Sequence, residues 1–421
     1  LRTQGPAGLE IALAEYDMLS RKTLSCFTPD SREPSSAGQQ ATKRRQLQAS
    51  IEQARQRVDA VAAQRDAHIS RLYWYSDLEQ AKRIADAAGK PILSLRMLGK
   101  LTDEYSCANS RFFRTALYAN KEISDYLREN YVLHWQSVRP VPRVTIDFGD
   151  GRKLERTITG NSAHYVLDAT GRPLDALPGL YGPKAFKDWL VRAKGLADRR
   201  ALARDQEAVA ALLLEYHATR LNGLDQSLGL NLKLHAPELV KNNNSAEVAA
   251  QTDAPAKPRA KLADSLSISK SAGEAPLLSV ILPDDAVLEA QDDSLWRKIA
   301  AASADDARLD DASISLIRSE HPTAGEAGVR AATKRLQEDP VLRLVRSFEQ
   351  SMALDTVKNE LLLHRKIHEW FLSGDAPVGI DAFNEKVYAE LFLTPSSDPW
   401  LGLAPADVYT ALEGGGLTAA Q

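Results

Sequence analysis

Gly89-Lys90-Pro91-Ile92-Leu93-Ser94-Leu95 ends one element and begins another. The residues before it, Asp77 to Ala88, predict a helix, and Gly89 supplies the left-handed conformation that closes helices at their C-termini. Pro91 lacks the N–H that a continuing helix needs, and the apolar run Ile92 to Leu95 predicts a short buried strand. Helix, turn and strand make one α/β step.

Downstream the alternation continues. After a polar loop, Cys107-Ala108-Asn109-Ser110 opens a helix through Tyr118, a second helix covers Lys121 to Arg128, and Tyr131 to Trp135 predicts a strand. Val144 to Phe148 and Leu154 to Thr159 flank Gly149-Asp150-Gly151, where Asp-Gly supports the positive φ of a hairpin turn. His164 to Asp168 and Pro173 to Ala176 predict two more strands around the turn Ala169-Thr170-Gly171-Arg172. Gly182-Pro183 then starts a closing helix through Leu190 to Ala197.

This order resembles the thioredoxin-like superfamily over residues 74–190, a little over a quarter of the chain. The pieces that carry the resemblance are Gly89-Lys90-Pro91 with its strand, Cys107 at a helix start, Gly160 before strand 164–168, Asp168, Gly171 and the closing helix. The resemblance implies an α/β domain with Cys107 at the position of the reactive thiol, where helix N–H groups and the helix dipole stabilise thiolate. Ser110 stands where the second cysteine of the motif would be. A C-x-x-S site can form a mixed disulfide but needs another thiol to clear it. Ser162 takes the place of the usual cis-proline, and a non-proline cis bond costs roughly 3 kcal/mol, so a trans bond is expected there. Asn109, Asn161 and Ser162 are the implied polar neighbours of the thiol.

Two functions are expected from this resemblance. In one, Cys107, assisted by Ser110, performs thiol–disulfide exchange or traps an oxidant, with a protein thiol or disulfide as partner. In the other, the thioredoxin-like domain is a non-catalytic binding or assembly protein, and Cys107 is a small buried residue packing a helix start. No cofactor is expected in either.

Outward from this domain the chain reads as mainly helical. Segment 1–70 holds the apolar stretch Leu9 to Leu19, a Pro- and Ser-rich loop from Cys26 to Gln40, and a long amphipathic helix from Ala41 to Ile69. The stripe of that helix is Leu47, Ile51, Val58, Val61 and Ile69, narrow enough to suit docking on another element or a partner helix. Domain 71–198 is followed by a helix at Ala201 to Leu221 and a linker at Lys241 to Ser271, within segment 199–272. Segment 273–421 opens with a strand at Leu277 to Leu282 and a helix around Trp296, and contains the apolar run Ile314 to Ile317. It continues with a strong helix from Val341 to Leu372, whose stripe is Leu342, Val345, Phe348, Met352, Val357, Leu361, Ile367 and Phe371. Asp381 to Phe392 predicts the final helix.

On the strong helix, Glu360, His364 and His368 are spaced four apart and share a face, a spacing from which two histidines can hold one metal ion. The same pattern also describes a polar face bonded within itself. His134 and His164 fall in strands, and Tyr388, Phe392 and Trp400 read either as a recognition surface or as packing between the last helices. Gly414-Gly415-Gly416 lacks the strand and helix of a phosphate loop.

Composition bounds the partners. The 421 residues carry 53 basic and 56 acidic side chains, a formal charge of −3, so no overall field favours nucleic acid. No stretch approaches the ~20 apolar residues of a membrane span. Cys26 and Cys107 are too few for a disulfide framework. A first residue of Leu1 rather than Met leans toward an exported or periplasmic protein over a cytoplasmic one. Assembly is expected through the N-terminal helix or the C-terminal segment.

Overall fold

A computed structural model describes residues 1–26, 37–158, 160–235, 294–321 and 340–403. Helices α1 (Pro6–Cys26), α2 (Ala37–Ala62) and α3 (Ala67–Ser70) precede strand β1 (Trp74–Tyr75). Then come α4 (Leu78–Ala88), β2 (Ile92–Leu98), α5 (Ala108–Phe112), α6 (Lys121–Asn130) and β3 (Val132–Arg139). The hairpin β4 (Arg143–Asp147) and β5 (Lys153–Thr157) leads to β6 (Ser162–Leu167), β7 (Pro173–Pro178), α7 (Pro183–Leu202) and α8 (Gln206–His235). The C-terminal helices are α9 (Ser294–Ala301), α10 (Asp311–Glu320), α11 (Pro340–Lys358), α12 (Arg365–Ser373) and α13 (Ile380–Lys386).

The protein is a mixed α/β structure around one five-stranded sheet of order β1-β3-β2-β6-β7. Strands β1 and β2 run parallel to β3, β6 is antiparallel to β2, and β7 is antiparallel to β6. Every residue of β2, β6 and β7 is buried. Covered on both faces, these strands are apolar runs rather than alternating ones, as a sheet sandwiched by helices requires.

Local chemistry sets the boundaries. Asp77 Oδ1 accepts the Gln80 N–H at 2.7 Å to cap α4, and Gly89 closes it at φ 62°. Asn120 caps α6 through the Ile123 N–H at 3.1 Å. Gly182-Pro183 starts α7, with proline at the position where its missing N–H costs nothing. The hairpin forms a separate two-stranded sheet in which exposure alternates along β4.

Several expectations are corrected in detail. Cys26 ends α1 instead of opening a loop, and α2 begins at Ala37; residues 27–36 lie outside the described set. The helix expected through Ile69 breaks after Ala62, where Ala63 and Asp66 take positive φ of 54° and 62°. Tertiary bonds reward the break: Trp135 Nε1 donates to the Ala63 carbonyl at 2.8 Å, and Asp59 Oδ1 accepts the Ala67 N–H at 2.8 Å. The thin stripe of α2 does have a partner, α1, through Leu9, Ala12, Leu13, Ala54 and Val58 and the Arg57–Glu15 ion pair at 2.6 Å. Ile314 to Ile317 lies in α10, and α8 runs on to His235, beyond the expected Leu221. The linker at 241–271, the strand at 277–282 and Gly414-Gly415-Gly416 fall outside the described residues.

Helix α5 continues as a π-helical run over Phe113–Tyr118, and α11 joins α12 through another at Asn359–His364. A π turn inserts a residue and rotates the helix beyond it about the axis. The buried members of the α11–α12 stripe, Val345, Met352, Leu361 and Ile367, straddle that turn. One apolar core runs from Leu9 in α1 through the sheet to Phe383 and Phe392 near the end. Among the described residues no helix is long and apolar enough to cross a membrane.

Candidate functional site

Cys107 is the N-cap residue of α5 and is fully buried. Its Sγ lies 2.9 Å from Ser162 Oγ on β6, 55 residues away in sequence. The pairing holds because Gly160, at φ 147°, lets the chain entering β6 press on the cysteine: a Cβ built there would lie 2.4 Å from Cys107 Cβ. No cis peptide bond occurs among the described residues, in line with the trans bond expected at Ser162.

The other predicted neighbours are turned elsewhere. Ser110 Oγ is 2.9 Å from the Cys107 carbonyl and 2.8 Å from Ser106 Oγ, so its hydroxyl serves the first turn of its own helix. Asn109 is buried, with its Oδ1 unpartnered among the described residues. Asn161 meets the site through its backbone, where its carbonyl accepts the Tyr388 hydroxyl at 2.7 Å.

That tyrosine belongs to the π-helical run Val387–Leu391 that continues α13, and no local pattern in the sequence places it beside Cys107. The C-terminal segment around α13 closes over the sheet at three further points. Asp381 pairs with buried Arg96 of β2 at 3.0 Å, Tyr165 of β6 donates to Asn384 Oδ1 at 3.1 Å, and Arg139 of β3 donates to the Thr394 carbonyl at 2.6 Å. Burial, with the neighbouring Cys107, raises the Tyr388 hydroxyl well above its ordinary pKa and keeps it a neutral donor. Tyr388 and Phe392 therefore pack, ring against ring at 5.2 Å, while Trp400 is 41% exposed.

His134 and His164 are buried core residues, each bonded through one ring nitrogen, to Ser94 Oγ at 2.9 Å and to the Tyr118 hydroxyl at 2.7 Å, while His134 Nε2 and His164 Nδ1 have no hydrogen-bond partner among the described residues. Burial lowers both to about 3, so they are neutral.

A second polar cluster lies at the edge strand β7. Asp175 is fully buried in the otherwise apolar Pro173-Leu-Asp-Ala-Leu-Pro178. Its Oδ2 accepts Trp189 Nε1 at 3.0 Å and the Tyr216 hydroxyl at 2.9 Å, and its Oδ1 accepts the Ala176 N–H at 2.8 Å and faces His364 Nε2 at 3.2 Å. Of the predicted trio, Glu360 and His364 bond each other at 3.0 Å, and Arg220 holds the other Glu360 oxygen at 3.2 Å. Burial opposes charge on His364, but Glu360 and Asp175 outweigh it and lift the imidazole to about 9. His368 instead faces His217 of α8, Nδ1 to Nδ1 at 2.8 Å, and burial depresses both rings. Among the described residues Asp175, His217 and His368 are the one His/Cys/Asp/Glu group whose donor atoms all lie within 4.8 Å. Sequence reasoning missed Asp175 and His217; the available signal was a polar residue inside an apolar run.

Beside α5 a cleft of about 970 Å³ opens among residues of α5, β5, α10 and α11. Phe112 and Phe348, 4.9 Å apart, floor it, and Arg65, Arg111, Arg156, Glu104 and Glu320 stand around them. No family model, no curated protein and no solved structure matches this chain.

Proposed function

We propose that the protein is a non-catalytic assembly or binding protein built on a thioredoxin-like scaffold. The scaffold reading is supported by the sheet order, with three parallel strands followed by two antiparallel ones, and by the cysteine at a helix start opposite Ser162. The observation that carries the non-catalytic reading is the occupation of the thiol edge by the chain's own C-terminal segment. Tyr388 takes the Asn161 carbonyl, a backbone acceptor beside Cys107 that an extended substrate would otherwise engage, and the sulfur is fully buried. A thiol in that setting meets neither a disulfide nor an oxidant, since exchange depends on access as well as on thiolate. Binding in this reading falls to the cleft beside α5, with its aromatic floor and charges of both signs.

The redox function stands as a second reading on one observation, the placement of Cys107 at the N-cap of a helical run extending to Tyr118. Alkylation of the native protein at neutral pH, with Cys26 replaced by Ala, separates the two. The scaffold reading expects Cys107 to label only as fast as the protein unfolds. Labelling at the rate of a free thiol, with disulfide reductase activity appearing in Ser110→Cys, would reject it in favour of the redox reading.

A further inference from the structure

We propose that Asp175, His217 and His368 form a buried binding site for one divalent transition-metal ion of the Zn²⁺ class. The three residues come from β7, α8 and α12, so a bound ion would tie the edge of the sheet to two helices that meet it from segments 42 and 193 residues downstream.

The donor set fits. Imidazole nitrogen and carboxylate oxygen are the ligands such ions take, at about 2.0–2.2 Å. His217 Nε2 is 3.1 Å from the Leu174 carbonyl. A carbonyl only accepts, so the ring proton sits on Nε2 and Nδ1 presents a lone pair. That is the backbone-pinned tautomer common in metal-ligating histidines. The face of the same ring is held by Phe371, stacked at 3.8 Å and 7°. In the pair as it stands His368 Nδ1–H donates to His217 Nδ1; ligation would move that proton to His368 Nε2, which has no partner among the described residues, and free Nδ1 for the ion. Asp175 is oriented by Trp189, Tyr216 and the Ala176 N–H, the outer layer of bonds that ligating carboxylates typically have.

Tetrahedral ligation at ~2.05 Å would separate the two nitrogens by about 3.3 Å, half an ångström more than the 2.8 Å seen, a shift within reach of two χ rotations. His364 lies outside the 4.8 Å group but next to it, with Nε2 3.2 Å from Asp175 Oδ1 and Nδ1 held by Glu360. With both ring nitrogens facing carboxylates it belongs to the layer around the site, and the fourth position of a tetrahedral ion falls to water. The polar cluster also needs a reason to exist. Well-packed apolar side chains serve stability as well as buried ionic groups do.

The test uses the full chain without a histidine tag, expressed in zinc-supplemented medium and purified without chelator. Elemental analysis is expected to find about one metal per chain, lost on denaturation with chelator. Refolding with Co²⁺ should yield the d–d absorption of a tetrahedral nitrogen–oxygen site, and Zn²⁺ should raise the melting temperature of the metal-free protein by several degrees. His368→Gln and His217→Gln are expected to lose the metal, while His321→Gln, at a distant histidine, keeps it. Wild-type protein with less than a tenth of an equivalent, no cobalt spectrum and no zinc-dependent melting shift would overturn the proposal and leave the two rings as a simple N–H···N pair. Should the glutamine variants fail to fold, those wild-type measurements decide alone.

Discussion

Replacing Gly160 with Ala tests the packing of the cysteine site directly. The new Cβ would sit 2.4 Å from Cys107 Cβ, 3.1 Å from its Cα and 3.3 Å from the Ala108 nitrogen, at a residue whose φ of 147° is strained for any L side chain. Backbone strain of this kind costs about 1–3 kcal/mol, and an overpacked methyl that meets backbone atoms costs about 1–3 kcal/mol more. The sum, about 2–6 kcal/mol, is a large part of the ~5–15 kcal/mol that holds a domain together. With an m-value of about 3 kcal/mol/M, a loss near 4 kcal/mol moves the urea midpoint down by roughly 1.3 M. Urea unfolding followed by tryptophan fluorescence reads that shift, and alkylation in native buffer should speed up as the α5 start is pushed off β6. A double-mutant cycle with Cys107→Gly separates the causes, because that change removes the Cβ contact and leaves the φ strain. A Gly160→Ala protein less than about 1 kcal/mol weaker than wild type, with Cys107 still protected, would refute the close approach.

Tyr388→Phe removes the donor to the Asn161 carbonyl, and a loss of about 1–2 kcal/mol with faster labelling of Cys107 is expected; unchanged labelling would show that the phenol does not guard the site. Asp59 is raised to about 6, chiefly by burial, so its contribution to stability is full below about pH 4 and lost as pH rises through 6. The shift of about two units sets a ceiling near 3 kcal/mol, which partial solvent exposure reduces to about 1–2 kcal/mol. Asp59→Asn should remove that decline while keeping an acceptor for the Ala67 N–H, and identical pH profiles of urea unfolding for the two proteins would contradict it. Gln64 accepts Trp74 Nε1 at 2.7 Å and donates to Ser70 Oγ at 2.9 Å, both buried; Gln64→Met strands the indole N–H, while Ser70 Oγ keeps the Leu72 N–H, and should cost about 1–3 kcal/mol in the same assay.

The elements legible in the sequence are those whose signals are local. Asp77, Gly89 and Gly182-Pro183 act within one turn of themselves, and their helices begin and end as they dictate. The apolar run at β2 is legible for the same reason, although the strand outruns it, because Arg96 looks like a terminator and is buried in mid-strand against Asp381. The illegible features are set by distant partners. The break in the helix after Ala62 depends on Trp135, 72 residues on, and the His217–His368 pair spans 151 residues. Glu360, His364 and His368 stand out because helical spacing is a local rule. Their division into a Glu360–His364 pair and a His368 that meets another helix depends on a neighbour whose position only the fold supplies.

The C-terminal helices touch the sheet at both ends of its antiparallel half, and the two contacts differ in kind. At β2 and β6 the contact is a cover, in which Tyr388 and Asn384 engage a backbone carbonyl and a phenol and Asp381 pairs with one nitrogen of the Arg96 guanidinium. At β7 the contact is a polar core, in which Asp175 gathers Trp189 and Tyr216 from one side and His364 from the other. A buried carboxylate stripped of such partners is costly, by about 3–5 kcal/mol when one partner of a buried pair is removed. Strand β7 is therefore built to be completed by the helices that come after it, and the sheet domain carries in its own sequence, at Arg96 and Asp175, the demand for a C-terminal layer. The scaffold reading proposed above rests on this filling of the thiol edge and of the neighbouring one by the chain's own C-terminal segment, since a redox thiol would need that edge open.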